Sequence, residues 1–347
     1  MNHNEGHLPG DVPPTPVPPP ATPRRIAPGE AEAAADLLRR LGAEIGRAVV
    51  GQRPVVEQVL IALTASGHVL LEGAPGLGKT LLVRALARAF SGSFARIQFT
   101  ADLMPSDVTG HSMFDAESRE FRIRKGPVFA NLLLADEINR APAKTQSALL
   151  EVMQEYQATI EGAALPLPLP FMVLATQNPI ELEGTYPLPE AQLDRFLLKV
   201  VVGYPDPDEE RALLRLVTGG HVGESLQVDE VQPLMEAGTV RSLQQLASAV
   251  EVDERIHDYA VRMVRATRSW PGIAIGAGPR GTIGLVRAAR ARALLEARDF
   301  VTPDDIKAVA MPVLRHRISL SPDSQLEGQT ADTALAAILD SIEAPRG

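Results

Sequence analysis

The chain has no cysteine. That absence excludes disulfides, thiolate-bound zinc, iron–sulfur clusters and thiol nucleophiles together. No apolar run approaches the ~18 residues of a membrane span, and the N-terminus lacks the basic-then-apolar layout of a secretory signal. A cytoplasmic protein is therefore expected. Positive charge is also short: 34 Lys and Arg stand against 43 Asp and Glu, for a formal net charge of −9. An acidic chain binds nucleic acid poorly unless a local basic patch is set aside for it. Tryptophan occurs once, as Trp270 before Pro271-Gly272, where it reads as a packed loop anchor. His68, His257 and His316 lie in regular segments without an acidic or histidine partner at metal-binding spacing, and His3 and His7 are too sparse for a site. What is present is ordinary for a globular protein: 347 residues, 45% hydrophobic and 22% charged, enough for one large or two medium domains.

Three stretches differ in pattern. Residues 1–29 are rich in proline, with Pro13, Pro14, Pro16, Pro18, Pro19 and Pro20 close together. So few apolar side chains predict a disordered, partly PPII tail, with a ligand for a proline-recognition domain as the alternative. Residues 30–205 open on an amphipathic helix, Ala31 to Ala48, followed by apolar runs at 68–72, 95–99, 131–135, 171–176 and 196–202. Short apolar runs alternating with helical stretches predict a five-stranded parallel α/β sheet with helices on both faces. Two β-hairpins interrupt it, one over 111–123 turning near Glu117-Ser118, the other over 158–167 turning at Glu161-Gly162-Ala163. Residues 206–347 lose the strand pattern and predict an all-α domain. Its helix starts are signposted by Asp206-Pro207 with Glu209 and by Thr302-Pro303 with Asp305.

The strongest single motif is Gly73-Ala74-Pro75-Gly76-Leu77-Gly78-Lys79-Thr80, a complete G-x-x-x-x-G-K-[ST] between a strand-like and a helix-like segment. Glycines let backbone N–H groups turn inward around phosphates, and the helix start adds positive potential. Lys79 is expected on the β/γ-phosphates and Thr80 on Mg²⁺. The competing explanation is a chance glycine-rich turn, which the flanking strand and helix disfavour.

A second motif follows some fifty residues on. The run Leu132-Leu133-Leu134-Ala135 ends in Asp136-Glu137. In a P-loop protein the first acid holds Mg²⁺ and the second polarises the attacking water. Phosphoryl transfer otherwise needs positioned polar groups and positive charge. Asn178, ending the next strand, is a candidate to orient that water. Arg195 is a candidate arginine finger, the bland alternative being an ion pair with Asp194. Arg280, at a helix start, is a candidate to reach the γ-phosphate from above.

Together these residues resemble the MoxR family of AAA+ ATPases over roughly residues 40 to 340. The resemblance is carried by VVGQ at 49–52, EGAPGLGKT at 72–80, LLLADEINRAPAKTQSALLE at 132–151, ATQNP at 175–179, EGTYPLPEAQLDRF at 183–196, VTPDDI at 301–306 and VLRHRI at 313–318. It implies an AAA+ core with an all-α lid and ATP with Mg²⁺ as cofactors. The implied nucleotide set is Val50 and Gly51 near adenine, then Gly73, Pro75, Gly76, Gly78, Lys79, Thr80, Leu81 and Asp136, with Thr80 and Asp136 on the metal. Glu137, Asn178 as sensor 1, Arg195 as a finger acting in trans and Arg280 as sensor 2 are the implied catalytic set. The segment around Arg280 departs from the family in having Gly278 before the proline and Gly281 after the arginine.

The resemblance further implies a homo-oligomer, a hexameric ring. Such rings remodel or activate client proteins, often with a von Willebrand A domain partner. Two other functions compete with this chaperone-like ATPase. A nucleic-acid motor would use Arg119, Arg122, Arg124 and Lys125 of the first hairpin, but Glu117 and Glu120 dilute that patch. A nucleotide-binding switch without turnover is disfavoured by the intact acids.

Overall fold

The computed structural model describes residues 25–74, 76–177, 184–218, 228 and 230–345. Most of the tail expected over 1–29, as well as Pro75 and Asn178, lies outside the described residues. Helix α1 (Glu30–Ala48) buries Ala31, Ala34, Leu38, Leu41, Ile45 and Ala48, a stripe at three- and four-residue spacing. A turn at Gly51 leads into α2 (Arg53–Thr64), with Pro54 in its first turn. The chain continues through β1 (Val69–Glu72), α3 (Lys79–Ala89), β2 (Phe94–Gln98), α4 (Pro105–Thr109), β3 (Gly110–Asp115), β4 (Glu120–Lys125) and β5 (Leu132–Asp136). It goes on with α5 (Ala143–Glu155), β6 (Gln157–Ile160), β7 (Ala163–Pro166), β8 (Met172–Gln177), α6 (Glu190–Leu193) and β9 (Leu198–Val201).

Five of these strands form one parallel sheet in the order β2-β5-β8-β1-β9. Helices cover both faces, so the inner strands show unbroken apolar runs in place of alternation. Leu71, Leu132, Leu134 and Leu174 pack towards α1, α2 and α3, while Leu70, Leu133 and Val173 pack towards α5. Register keeps the strands' carboxyl ends level: Glu72 lies beside Gln177, Ala135 beside Ala175, and Gln98 beside Asp136. In parallel α/β sheets that edge is where ligands bind.

Both expected hairpins are present and paired antiparallel. In the second, Glu161 and Gly162 have φ of 48° and 79°, the doubly left-handed turn that matches the right-handed twist of a tight hairpin. In the first, Asp115 Oδ1 accepts from the N–H of Glu117 at 2.9 Å and of Ser118 at 3.3 Å.

The remainder contains α7 (Pro207–Thr218), α8 (Ala237–Ala249), α9 (Glu254–Ala266), β10 (Ile273–Ile275), α10 (Pro279–Leu295), α11 (Pro303–Leu314), β11 (Ser319–Leu320), α12 (Pro322–Leu326) and α13 (Ala331–Ser341). Both capping boxes form. Asp206 Oδ1 accepts from Glu209 N–H at 2.8 Å while Glu209 Oε2 accepts from Asp206 N–H at 2.9 Å, and Thr302 and Asp305 exchange bonds in the same way. One element is additional to the sequence reading: a small antiparallel ribbon pairs Ile273 with Leu320 and Ile275 with Ser319. Strands of three and two residues are too short to display a period. The helical part packs through α10 on α1 and α2, and one apolar cluster runs from the sheet into it. Among the described residues no helix is long and apolar enough to cross a membrane.

Candidate active site

The loop after β1 begins where only glycine fits. A Cβ on Gly73 would stand 2.5 Å from the backbone oxygen of Val202, just past β9. Gly76 and Gly78 then take φ of 82° and 75°, and a Cβ on either would meet nothing within 4 Å. The result is a left-handed backbone bordering an open cradle. Gly78 is the N-cap of α3 and supplies no side-chain cap, so the helix's first N–H groups are left for an anion. Lys79 opens that helix, and its Nζ donates to Gly73 O at 2.8 Å, folded back over the loop. Burial pulls the Lys79 pKa down, opposed by the nearby charges of Asp136 and Glu137.

Across the cradle, β5 ends in Asp136 and the chain turns sharply at Glu137, whose φ of 55° is uncommon for a residue with a side chain. The two acids are held by neighbouring strands. Thr176 Oγ1, on β8, donates to Asp136 Oδ1 at 2.6 Å and accepts from Glu137 N–H at 2.8 Å. From β2, Arg96 Nη2 donates to Asp136 Oδ2 at 2.6 Å and Gln98 Nε2 donates to Glu137 Oε2 at 2.6 Å. Arg140 Nε lies 3.1 Å from the same Glu137 oxygen. One cavity of about 410 Å³ joins Gly76, Gly78, Lys79, Thr80 and Leu81 to Asp136 and Glu137.

This arrangement fits a nucleotide triphosphate with a divalent cation. The glycine loop and uncapped helix start suit phosphate oxygens, and the carboxylates with the Thr80 hydroxyl form the hard oxygen set that Mg²⁺ prefers. Arg96, Gln98 and Thr176 enter the site only with the structure. The available signal was the spacing of Arg96 and Gln98, two apart on a strand and so on one face.

Val50 and Gly51 border a different groove, of about 730 Å³, with Leu38, Gly42 and Gly46 of α1, Leu60 of α2 and Glu209 of α7. Gly51 has φ 75°, and a Cβ there would stand 2.9 Å from Glu209 Cβ. Gln52 Nε2 donates to Gly203 O at 3.0 Å, tying this segment to the end of β9.

Arg195 and Arg280 come together elsewhere. Both line a cavity of about 300 Å³ with Asp194, Arg287 and Arg317, and neither lines the P-loop cavity. Arg195 does not pair with Asp194. Its Nη1 donates to Leu150 O, while Asp194 Oδ1 lies 2.7 Å from Arg317 Nε and Oδ2 lies 3.9 Å from Arg280 Nη1.

His68 and His316 are buried and structural. His68 Nδ1 accepts from Val173 N–H at 3.0 Å, which leaves Nε2 to donate to Met153 O at 3.1 Å. Burial, the largest influence, lowers its pKa to about 4. His257 does have an acidic neighbour, contrary to the expectation from spacing: Glu254 Oε2 is 3.4 Å from its Nδ1. Among the described residues no group of three metal-binding side chains forms.

Residues 68–198 match the profile of the ATPase family associated with various cellular activities (AAA), and residues 265–338 match that of the AAA lid domain. The chain is 45% identical over 333 residues to Chaperone MoxR1 of Mycobacterium tuberculosis, covering 92% of this chain and 86% of that protein. It is 35% identical over 334 residues to Protein MoxR of Methylorubrum extorquens, covering 89% and 96%. It is 47% identical over 309 residues to the Bacillus subtilis protein YeaC, covering 89% and 95%. A crystallised ATPase candidate from Cytophaga hutchinsonii superposes with a TM-score of 0.84 at 41% identity, covering 91% of this chain and 97% of its own.

Proposed function

The chain belongs to the MoxR family of AAA+ ATPases, and from that premise we propose that it hydrolyses Mg-ATP in the P-loop cavity to remodel or activate client proteins. One observation carries the reading. Lys79 and Thr80 on one side and Asp136 and Glu137 on the other face a single cavity at the level carboxyl edge of the sheet.

The roles follow from chemistry. Gly73, Gly76 and Gly78 shape the phosphate cradle, Lys79, Thr80 and Leu81 bring the helix start to it, and Pro75 is assigned to the nucleotide by the family pattern alone. Thr80 and Asp136 would hold Mg²⁺, which when bound neutralises charge on the phosphate oxygens. Glu137 polarises the attacking water, and Asn178 orients it. Val50 and Gly51 border the adenine. Since Arg195 and Arg280 line a cavity apart from their own P-loop, we assign both to the nucleotide of a neighbouring copy. Hydrolysis then requires an assembled ring, six-membered by family resemblance.

The chaperone role rests on the relatives' names and on the first hairpin. Phe114, Phe121 and Ile123 lie on one face of that ribbon and are 53%, 75% and 41% exposed. Exposed apolar patches of this kind mark interaction surfaces. A von Willebrand A domain partner is proposed from the family alone.

The test is a pair of variants. Glu137→Gln is expected to bind ATP normally and to lose at least about 100-fold in turnover, the usual worth of a positioned base. Lys79→Ala is expected to lose ATP binding. Wild-type turnover by Glu137→Gln would refute this assignment of the acids.

A further inference from the structure

Arg317 follows α11 in the helical lid, and its side chain is only 3% exposed. A buried guanidinium needs acceptors for its donors. It finds them on one short stretch of the ATPase core. Nε donates to Asp194 Oδ1 at 2.7 Å, Nη2 to Phe196 O at 2.7 Å and to Asp194 O at 3.2 Å, and Nη1 to Leu197 O at 3.2 Å. A further bond reaches Val313 O in the last turn of α11. The gripped stretch, 194–197, is the link between α6 and β9 and contains Arg195. The link has turn bonds of its own, from Arg195 N–H to Gln192 O at 3.2 Å and from Phe196 N–H to Leu193 O at 3.1 Å, but its carbonyls at Asp194, Phe196 and Leu197 all accept from Arg317, so the lid grips it from outside. Asp194 also faces Arg280 at 3.9 Å, so one carboxylate anchors both the finger's turn and the second arginine.

We propose that Arg317 is a positioning residue: it clasps the 194–197 turn to the lid and thereby sets Arg195 for its work on a neighbouring copy's nucleotide. The proposal rests on the reading of Arg195 given above. Movement of the lid on loss of the γ-phosphate would then pass directly to the finger presented to the next subunit. The residue type fits the task. A planar fork meets a carboxylate and several carbonyls at fixed angles, whereas a lysine replaces only the charge. His316 adds no competing cation: burial first, and the Arg317 charge next, hold its pKa well below the usual histidine range.

The experiment compares Arg195→Ala, Arg317→Lys and the double variant with wild type, measuring kcat, the Kd for a fluorescent ATP analogue and the unfolding midpoint. Asp194→Asn, nearly isosteric, tests the same clasp from the other side and guards against a folding failure. Arg317→Lys is expected to lower kcat about 10- to 100-fold, the range for a misplaced catalytic group, with Kd unchanged within twofold. The double variant should be no slower than Arg195→Ala, because groups acting as a unit are not additive. Mixing Arg317→Lys with Lys79→Ala subunits should restore part of the turnover, since the latter carry an intact clasp. Wild-type kcat for Arg317→Lys, or losses that multiply in the double variant, would overturn the clasp while leaving Arg195's role standing. Wild-type kcat for Arg195→Ala would overturn both.

Discussion

Gln98 Nε2 donates to Glu137 Oε2 at 2.6 Å, joining the edge strand β2 to the acid just past the end of β5. The bond exists because register sets Gln98 beside Asp136. Its consequence is that the orientation of Glu137 depends on a side chain outside the acid motif. Gln98→Ala is expected to lower kcat roughly 10- to 100-fold, since a small displacement of a catalytic group costs that much. ATP affinity should stay within twofold, the phosphate loop being untouched. Single-turnover hydrolysis beside equilibrium binding checks this, and an unchanged rate would remove Gln98 from the site.

Gly73 meets the end of β9 so closely that a methyl group has no place there: the added Cβ would lie 2.5 Å from Val202 O and 3.0 Å from Val202 Cβ. Relief requires the first loop residue or Val202, just past β9, to move. Gly73→Ala should therefore cost about 1–3 kcal/mol, the usual range for overpacking, and should weaken ATP binding as well. Urea unfolding and nucleotide titration measure the two effects. If stability falls and affinity does not, the loop's start is not coupled to phosphate binding.

His68 makes stability depend on pH. Its pKa is lowered to about 4 when folded, chiefly by burial, whereas an unfolded histidine titrates near ~6.5. Between those values the unfolded chain binds more protons, so this contribution is full above about pH 6.5 and falls away as pH drops towards 4. At pH 5 the loss from His68 comes to about 2 kcal/mol. His316, also lowered by burial, acts in the same direction. His68→Gln removes one titrating group, so its stability should fall less between pH 7.5 and pH 5.0 than wild type's. Equal slopes in urea unfolding would contradict this.

The legible features were those written in contiguous residues. The glycine loop, the acid pair closing Leu132-Leu133-Leu134-Ala135, the Glu161-Gly162 turn and the Thr302–Asp305 cap each carry their physical reason within a few positions. Features that depend on pairing were not legible. Arg96 and Gln98 look like the solvated face of an edge strand until register puts them against Asp136 and Glu137. Arg317 reads as one more helix-end arginine until the fold brings Asp194 to it from 123 residues away. The same distance effect hid the cavity shared by Arg195 and Arg280, which the sequence placed in different roles.

Phe114 and Phe121 face each other across the first hairpin, with ring centroids 5.4 Å apart and planes at 63°. On the opposite face, Arg122 and Asp115 pair at 3.1 Å. The ribbon thus has an apolar side and a side that mixes charge with the exposed Met113. A pair of this geometry contributes about 0.5–1.5 kcal/mol, yet both rings stay more than half exposed. An unfolded polypeptide with exposed apolar side chains is the occupant the chaperone reading requires. Phe121→Ser is expected to keep basal ATPase within twofold while losing suppression of aggregation of a chemically unfolded test protein. Phe121→Leu, which keeps apolar area without the aromatic pair, should retain it. Light scattering with and without ATP reads the effect, and full suppression by Phe121→Ser would locate client binding away from this face.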